Sequence, residues 1–519
     1  MTAAPDVSMP ATVRDPLSIA LVLPADWRGE PGIARLLDTL SGAAHVQIAA
    51  CVDPNAPVPE PSGVLRGWLA CEEALLGRPG APATPRFDAQ AATLPRCTVE
   101  TMPDVDAVLD LQGTGDPSLA ARGRFGLWRL SATAPDAGLA PALSGAGETP
   151  VALLTLAAPD AAWRVRAQTA YDTKFLASRN RRYLREKAVQ LIERELAVLS
   201  MTRTDAPPLP SSGQTAPVSS ALLPGYVLRA GGQVARRLRD RVRAKANWRP
   251  GRFCLRLGTG SALDFDPAAS VEFDAPDGTY WADPFLIDHA LGRHVFFEVY
   301  DYATDRGHIA AARVEGRNLV PLGPVLQTPY HLSYPFVFAH DGEIFMLPET
   351  HQSDRLELWR ATEFPVTWTL HSTALEGTAC ADSVVVEHEG RWWLFTNICR
   401  DSYGDFCSEL HVFAIDGPQM GRIAPHPLNP VVVGSRTARG GGRVFAQNGR
   451  LYRAAQDNAF GTYGYGLRIM EITALGPTEY EERTVRHLTP DSTDLGSDLI
   501  GLHHVDALGG QVIFDVRRR

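Results

Sequence analysis

Between Asp283 and the C-terminus, apolar and polar positions repeat one pattern five times: an apolar strand, a glycine turn, a second apolar strand, then a polar residue. The clear copies run from Asp283 through Gly292 to Glu298, from Tyr334 through Gly342 to Glu349, and from Asp382 through Gly390 to Asn397. Two weaker copies turn at Gly449 and at Gly509–Gly510 and end at Gln456 and Asp515. The turn glycines lie 50, 48, 59 and about 60 residues apart, and strand-built self-similarity at a ~40–50-residue period is the signature of a β-propeller. Five copies predict five blades. Because a propeller aims its innermost strands at one axis, the repeated polar residues are expected to meet in one pocket.

Upstream the pattern changes to short apolar runs alternating with helical periods. Residues 18–23 and 45–51 read as strands around a helix at 33–40, the βαβ opening of a parallel sheet. Further strands are predicted at 107–111, 125–130 and 151–156, and one long helix at 173–199 with Leu184, Val189, Leu191 and Leu196 facing inward. The fold class expected is an α/β Rossmann-like N-terminal domain over 17–200 plus an all-β five-bladed β-propeller over 251–519. A disordered lead over 1–16 precedes them. Residues 201–250 join them through a Pro/Ser/Thr-rich linker (203–224) and a basic helix (226–246). That helix carries seven basic residues and one acidic, with Val227, Val234, Leu238 and Val242 along one face. It either packs on the propeller with its arginines in water or makes a peripheral contact with an anionic membrane.

Composition narrows the class. A chain of 519 residues, 45% apolar and 21% charged, can bury two or three cores. A net charge of −9 gives no reason to expect nucleic acid as a partner. Seven cysteines without a Cys-x-x-Cys pair predict neither a disulfide framework nor a zinc knuckle. The expected location is the cytoplasm, with the basic helix allowing the inner face of the membrane. No Gly-x-Gly-x-x-Gly follows the first strand, so no dinucleotide is expected, and no metal or other cofactor is called for.

The order of elements in 17–200, with the segment Gly126-Leu127-Trp128-Arg129-Leu130-Ser131, resembles the formyltransferase fold. That family works through an Asn-x-His pair, where this sequence has Arg129 and Ser131. Neither replaces a proton-shuttling histidine near neutral pH, so the domain is read as a degenerate relative used for docking.

Tyr280-Trp281-Ala282-Asp283-Pro284 resembles the opening blade of the five-bladed glycoside hydrolases. The resemblance implies Asp283 as general base and Asp382 as the residue that orients it. The acid expected in the fourth blade is missing, because 434–448 holds no Asp or Glu but does hold Arg436, Arg439 and Arg443. A sugar-alkoxide leaving group needs that acid. A phosphate leaving group needs positive charge and bidentate donors instead, which arginine supplies.

Residues 248–519 resemble more closely the propeller module of the plant glucosamine inositolphosphorylceramide transferases. The matching motifs are Trp281-Ala282-Asp283-Pro284, Tyr330-His331-Leu332-Ser333-Tyr334-Pro335, Leu347-Pro348-Glu349-Thr350 and Leu451-Tyr452-Arg453. The same module resembles that of bacterial proteins from surface-polysaccharide loci, where it follows a formyltransferase-like domain. In the plant enzymes a separate glycosyltransferase domain is joined to it, and none follows here. The resemblance therefore implies either glycosyl transfer from a phosphate-activated sugar in surface-polysaccharide or glycolipid synthesis, or a non-catalytic glycan-binding partner of a separate glycosyltransferase. A glycoside hydrolase drawing its acid from Glu298 or Glu349 is the third reading. The expected ligand is a nucleotide sugar or glycan. Catalytic candidates are Asp283, Asp382 and Glu349; candidates for substrate binding are Trp281, Glu298, His331, Tyr334, Arg436, Arg439, Arg443, Gln456 and His503.

Overall fold

The computed structural model describes residues 15–53, 63–76, 83–205, 218–245 and 252–519, together with residues 7, 207 and 209. Nearly all of the predicted lead and the middle of the predicted linker lie outside the described residues. The chain divides into two compact units, one of Ala11–Val234 with Arg400–Asp405, the other built mainly of Ala235–Cys399 and Phe406–Arg519.

In the first unit, β1 (Leu17–Val22), α1 (Pro31–Gly42) and β2 (Val46–Asp53) form the predicted βαβ opening. Two helices absent from the prediction follow, α2 (Gly63–Leu76) and α3 (Pro85–Ala91), and then strands β3 (Arg96–Thr98), β4 (Ala107–Asp110) and β5 (Leu127–Leu130). After the short α4 (Leu139–Ser144) come β6 (Glu148–Leu156), β7 (Arg164–Asp172), α5 (Ala177–Thr202) and α6 (Leu223–Lys245), of which the residues up to Val234 belong to this unit. The sheet order is β3-β2-β1-β4-β5-β6-β7. It is parallel from β3 to β5 and antiparallel from β5 to β7.

The sheet is thus mixed, not the Rossmann-like parallel sheet expected. The reason is local: β7, which the sequence reading missed, follows β6 after seven residues, and a parallel return needs a crossover of a dozen or more. Arg129 and Ser131 have structural roles here. The Ser131 Oγ accepts from the Ala152 amide at 2.9 Å, and the Arg129 guanidinium lies 4.5 Å from the Trp163 ring centre. The long helix α5 buries Leu184, Val189, Leu191 and Leu196 as predicted. It also buries Lys187, whose ammonium pairs with Asp401 of the Arg400–Asp405 segment at zero side-chain exposure; a charge so placed needs such a partner.

In the second unit, four blades are meanders of consecutive strands over 279–326, 333–374, 380–425 and 440–488. The fifth blade is composite. Strands Leu499–Gly501, Val505–Leu508 and Gln511–Arg518 pair with Arg252–Thr259 and Val271–Phe273 from the start of the unit. Joining both ends of the propeller chain in one sheet closes the ring and leaves only short, protected edges. The unit is a five-bladed β-propeller.

The predicted turn glycines all take left-handed backbone, with φ 99° at Gly292, 79° at Gly342, 72° at Gly390, 73° at Gly449 and 77° at Gly510. In the last four hairpins the preceding residue, Asp341, Glu389, Asn448 or Gly509, also has positive φ. Two consecutive positive φ values match the right-handed twist of the flanking strands. Turn chemistry therefore fixes the register that sends Glu298, Glu349, Asn397, Gln456 and Asp515 to corresponding places.

Candidate functional site at the propeller axis

The innermost strands of blades one to three share a bulge. Pairing skips from Ala282 to Phe285, from Ser333 to Phe336 and from Ala381 to Val384. The bulged residues Asp283, Tyr334 and Asp382 hold φ of 53°, 46° and 49°. Left-handed backbone is costly for residues with a Cβ, and bulges recur where a strand must re-aim a side chain. In the fourth blade the same irregularity falls between Gly440 and Val444, where Gly442 has φ 147°. The repeated polar residues on the second strands, Glu298, Glu349, Asn397, Gln456 and Asp515, are all buried. Bulge residues and these second-strand residues together build one polar cluster at the axis.

Its first half surrounds Asp283. The Asp283 amide donates to Asp515 Oδ2 at 3.1 Å, and its own Oδ2 accepts from the Tyr334 amide at 3.3 Å. The other oxygen, Oδ1, has no hydrogen-bond partner and lies 3.6 Å from both His503 Nε2 and His504 Nδ1. Burial pushes this carboxyl up to about 6; the positive His503 opposes that, while Asp515 and Glu349 add to it. His503 stacks on Phe253 and reaches Asp515 through Nδ1 at 2.7 Å. Burial disfavours its charge, but Asp515 and Asp283 outweigh that and hold it above its ordinary value. His504, buried against Phe285 and Tyr334, is pushed down to about 4 by burial.

Asp283, His503 and Asp515 each offer one ligand atom within 4.8 Å of the others, a spacing that suits a cation. A metal there would have to displace the His503–Asp515 hydrogen bond.

The second half is organised by Arg439. Its Nε donates to Asp382 Oδ2 at 2.7 Å, and its Nη2 reaches Asp382 Oδ1 at 3.3 Å and Glu349 Oε2 at 3.2 Å. Gln456 Nε2 adds a bond to Asp382 at 3.2 Å. Burial raises Glu349, but the hydrogen bond from His351 at 2.7 Å and the charge of Arg439 overcome it and bring the group to about 2. Asp382 stands well above the usual carboxylate range, because burial and the neighbouring Glu349 and Asp283 outweigh Arg439. The two carboxyls that share Arg439 are thus pushed in opposite directions, Glu349 down and Asp382 up.

Glu298 lies 3.5 Å from His331 Nε2 and 3.4 Å from the Tyr280 hydroxyl, and burial raises it well above its ordinary value. The Gly307 amide donates to His331 Nδ1 at 2.8 Å. That bond places the ring proton on Nε2, facing Glu298.

The structure brings Asp283, Asp382, Glu349, Glu298, His331, Tyr334, Arg439, Gln456 and His503 together. It separates three other candidates from them. Trp281 packs on Phe297, with ring centres 4.9 Å apart, in the core that blade one shares with Leu255 and Leu257. Arg436 pairs with Asp457, which also takes Arg468 and His487. Arg443 is held by Asp506 at 2.7 Å and by the Leu286 carbonyl at 2.9 Å. Asp515 and His351 escaped the sequence reading as site residues, and His504 was passed over in favour of its neighbour His503. Asp515 was visible as the polar end of the fifth copy, whereas the two histidines carry no spacing signal.

Residues 267–507 match one family model, described as "Glucosamine inositolphosphorylceramide transferase 1, N-terminal". Over 207 residues the chain is 37% identical to glucosamine inositolphosphorylceramide transferase 1 of Arabidopsis thaliana, covering 39% of this chain and 27% of that protein. The protein of the same name from Oryza sativa subsp. japonica is 36% identical over 233 residues, covering 44% and 31%. The chain thus spans about three-tenths of the length of the curated relatives it matches.

Among solved structures, a family 117 glycoside hydrolase from Zobellia galactanivorans matches with TM-score 0.34 and 12% identity, over 51% of this chain and 90% of that one. An alpha-L-arabinofuranosidase from Lactobacillus brevis matches with TM-score 0.32 and 16% identity, over 45% and 80%.

Proposed function

We propose that the propeller axis binds a carbohydrate and carries glycosyl transfer from a phosphate-activated sugar in glycolipid or surface-polysaccharide synthesis. The observation that carries this reading is Asp283, a buried carboxyl poised near pH 6 with one oxygen free of hydrogen bonds. A base works best when its pKa lies close to the working pH. Asp283 Oδ1 takes the proton of an acceptor hydroxyl as that oxygen bonds to the anomeric carbon, and the bond from that carbon to the phosphate oxygen breaks. The leaving phosphate departs as an anion and needs no acid. Arg439 is the arginine that reaches the axis; Asp382 and Glu349 engage its Nε and Nη2, which leaves Nη1 for the phosphate. His503 and Asp515 hold Asp283 in place. The similarity of residues 267–507 to a transferase of glycolipid name supports the reaction class. Within this reading the α/β unit is a scaffold.

A second reading is favoured by the match itself, which falls on an N-terminal module of longer relatives. The axis would then hold a glycan for a separate glycosyltransferase partner.

One set of assays separates the alternatives: thermal shift and product analysis with nucleotide sugars and oligosaccharides, on wild type and Asp283→Asn. Transfer requires that a nucleotide sugar stabilise both proteins by mass action while only the wild type forms product. Stabilisation by oligosaccharides alone, equal in both, would overturn transfer in favour of binding. Release of free sugar from an oligosaccharide would establish hydrolysis.

A further inference from the structure

The hairpin joining Arg450–Ala459 to Thr462–Leu475 delivers Tyr463 to the propeller axis. Between the pairs Asp457–Gly466 and Ala459–Thr462 one residue, Asn458, faces three, Tyr463, Gly464 and Tyr465. A bulge of this kind re-aims side chains. Gly464 makes it possible: its φ is 63°, its amide donates to Asn458 Oδ1 at 2.8 Å, and a Cβ there would come within 2.5 Å of the His503 Cβ. Arg439 Cζ lies 5.0 Å from the centre of the Tyr463 ring, which meets His503 edge to face at 5.3 Å. Gln456 Nε2 donates to the Tyr463 hydroxyl at 3.3 Å. The polar end of Tyr463 is thus fixed on a buried partner, while 39% of the residue stays exposed.

Gln456 is fully buried, and its Oε1 has no hydrogen-bond partner. An unpaired buried acceptor is costly, and a ligand hydroxyl would satisfy it. An open aromatic face beside such an acceptor suits a molecule that is apolar on one face and carries hydroxyls at its rim, which describes a pyranose ring. The place fits as well. Tyr463 touches both Arg439 and His503, and His503 Nε2 lies 3.6 Å from Asp283 Oδ1, so a ring resting on Tyr463 lies beside both the arginine and the carboxyl base. We infer that Tyr463 is the stacking platform for a pyranosyl ring, whose C–H face rests on the tyrosine while one ring hydroxyl donates to Gln456 Oε1. This rests on the reading that the axis holds a carbohydrate, and it applies to a nucleotide sugar and to a glycan alike.

The test is calorimetric titration of the full chain with UDP- and GDP-hexoses, with UDP and GDP, and with hexose oligosaccharides, on wild type, Tyr463→Phe, Tyr463→Leu and Phe460→Ala. Tyr463→Leu removes the ring and should weaken every sugar-bearing ligand that wild type binds by about tenfold, with UDP and GDP unchanged. Tyr463→Phe keeps the ring and should lose less. Phe460, whose ring packs on Tyr465 at the tip of the hairpin, is the control, and Phe460→Ala should bind like wild type. Saturation-transfer NMR on wild type, which needs no variant to fold, should mark the C–H protons of one sugar face when aromatic protein protons are irradiated. Unchanged sugar binding by Tyr463→Leu, an equal loss for UDP or GDP, an equal loss in Phe460→Ala, or saturation spread evenly over both sugar faces would overturn this inference alone. No binding of any sugar by native wild type would overturn the carbohydrate reading of the axis, and the stacking platform with it.

Discussion

The Tyr334 hydroxyl crosses the propeller axis to Gly442, accepting from its amide at 2.9 Å and donating to its carbonyl at 2.9 Å. Blade two is thereby pinned to blade four at their bulges. The site around Asp283 depends on this pin, because the Tyr334 amide is also the donor to Asp283 Oδ2.

Tyr334→Phe removes both bonds and leaves two buried backbone groups without partners. An unsatisfied buried group costs about 1–3 kcal/mol, so the variant should unfold at a clearly lower denaturant midpoint. Activity should fall with it, since Asp283 loses its reference point. An unchanged midpoint would show that water replaces the hydroxyl.

Arg439 compensates two buried carboxyls at once. Arg439→Ala strands them, and breaking a buried ion pair from one side costs about 3–5 kcal/mol. Arg439→Lys keeps the charge but lacks the planar fork that spans Asp382 and Glu349. It should recover part of the stability in a thermal melt and little of the ligand affinity.

Asp283 makes stability depend on pH with a definite sign. Its carboxyl stands at about 6 in the fold, against about 3.9 in an unfolded chain. Below about pH 4 both states hold the proton and the group is neutral to stability. As pH rises towards 6 the unfolded chain releases its proton first, and native stability falls. Asparagine does not ionise, so Asp283→Asn should melt above wild type at pH 8, by at most about 3 kcal/mol, with the gap closing near pH 4. A variant that is less stable than wild type at pH 8 would contradict the raised value.

Much of this arrangement was legible because it is written in periodic residues. Glycines at the hairpin tips report positive φ directly, and the polar residues repeated on each second strand follow from strand register. The closure of blade five was not legible, since Arg252–Thr259 pairs with Gln511–Arg518 across the length of the unit, and no local pattern records such a partner. The bulges were also hidden: left-handed backbone at Asp283, Tyr334 and Asp382 is imposed by the ring, against the preference of those residues. In the α/β unit, the apolar run in 151–156 gave a strand but not its direction. The three arginines of blade four illustrate the same boundary. Their spacing in the sequence is short, yet the turn and bulge between Arg436 and Arg443 send them to three different carboxylate clusters.

Arg436 is the control among those arginines. Its guanidinium is about one-third exposed and shares Asp457 with Arg468 and His487. A pair of this kind contributes at most about 1 kcal/mol, and Arg468 and His487 remain in contact with Asp457. Arg436→Ala should therefore change the melting temperature little and leave sugar binding at the axis intact, in contrast to Arg439→Ala. Isothermal titration of both variants with the same nucleotide sugar checks this directly. Equal loss of affinity in the two would mean that Arg436 turns towards the ligand on binding, and the phosphate site would then extend beyond Arg439.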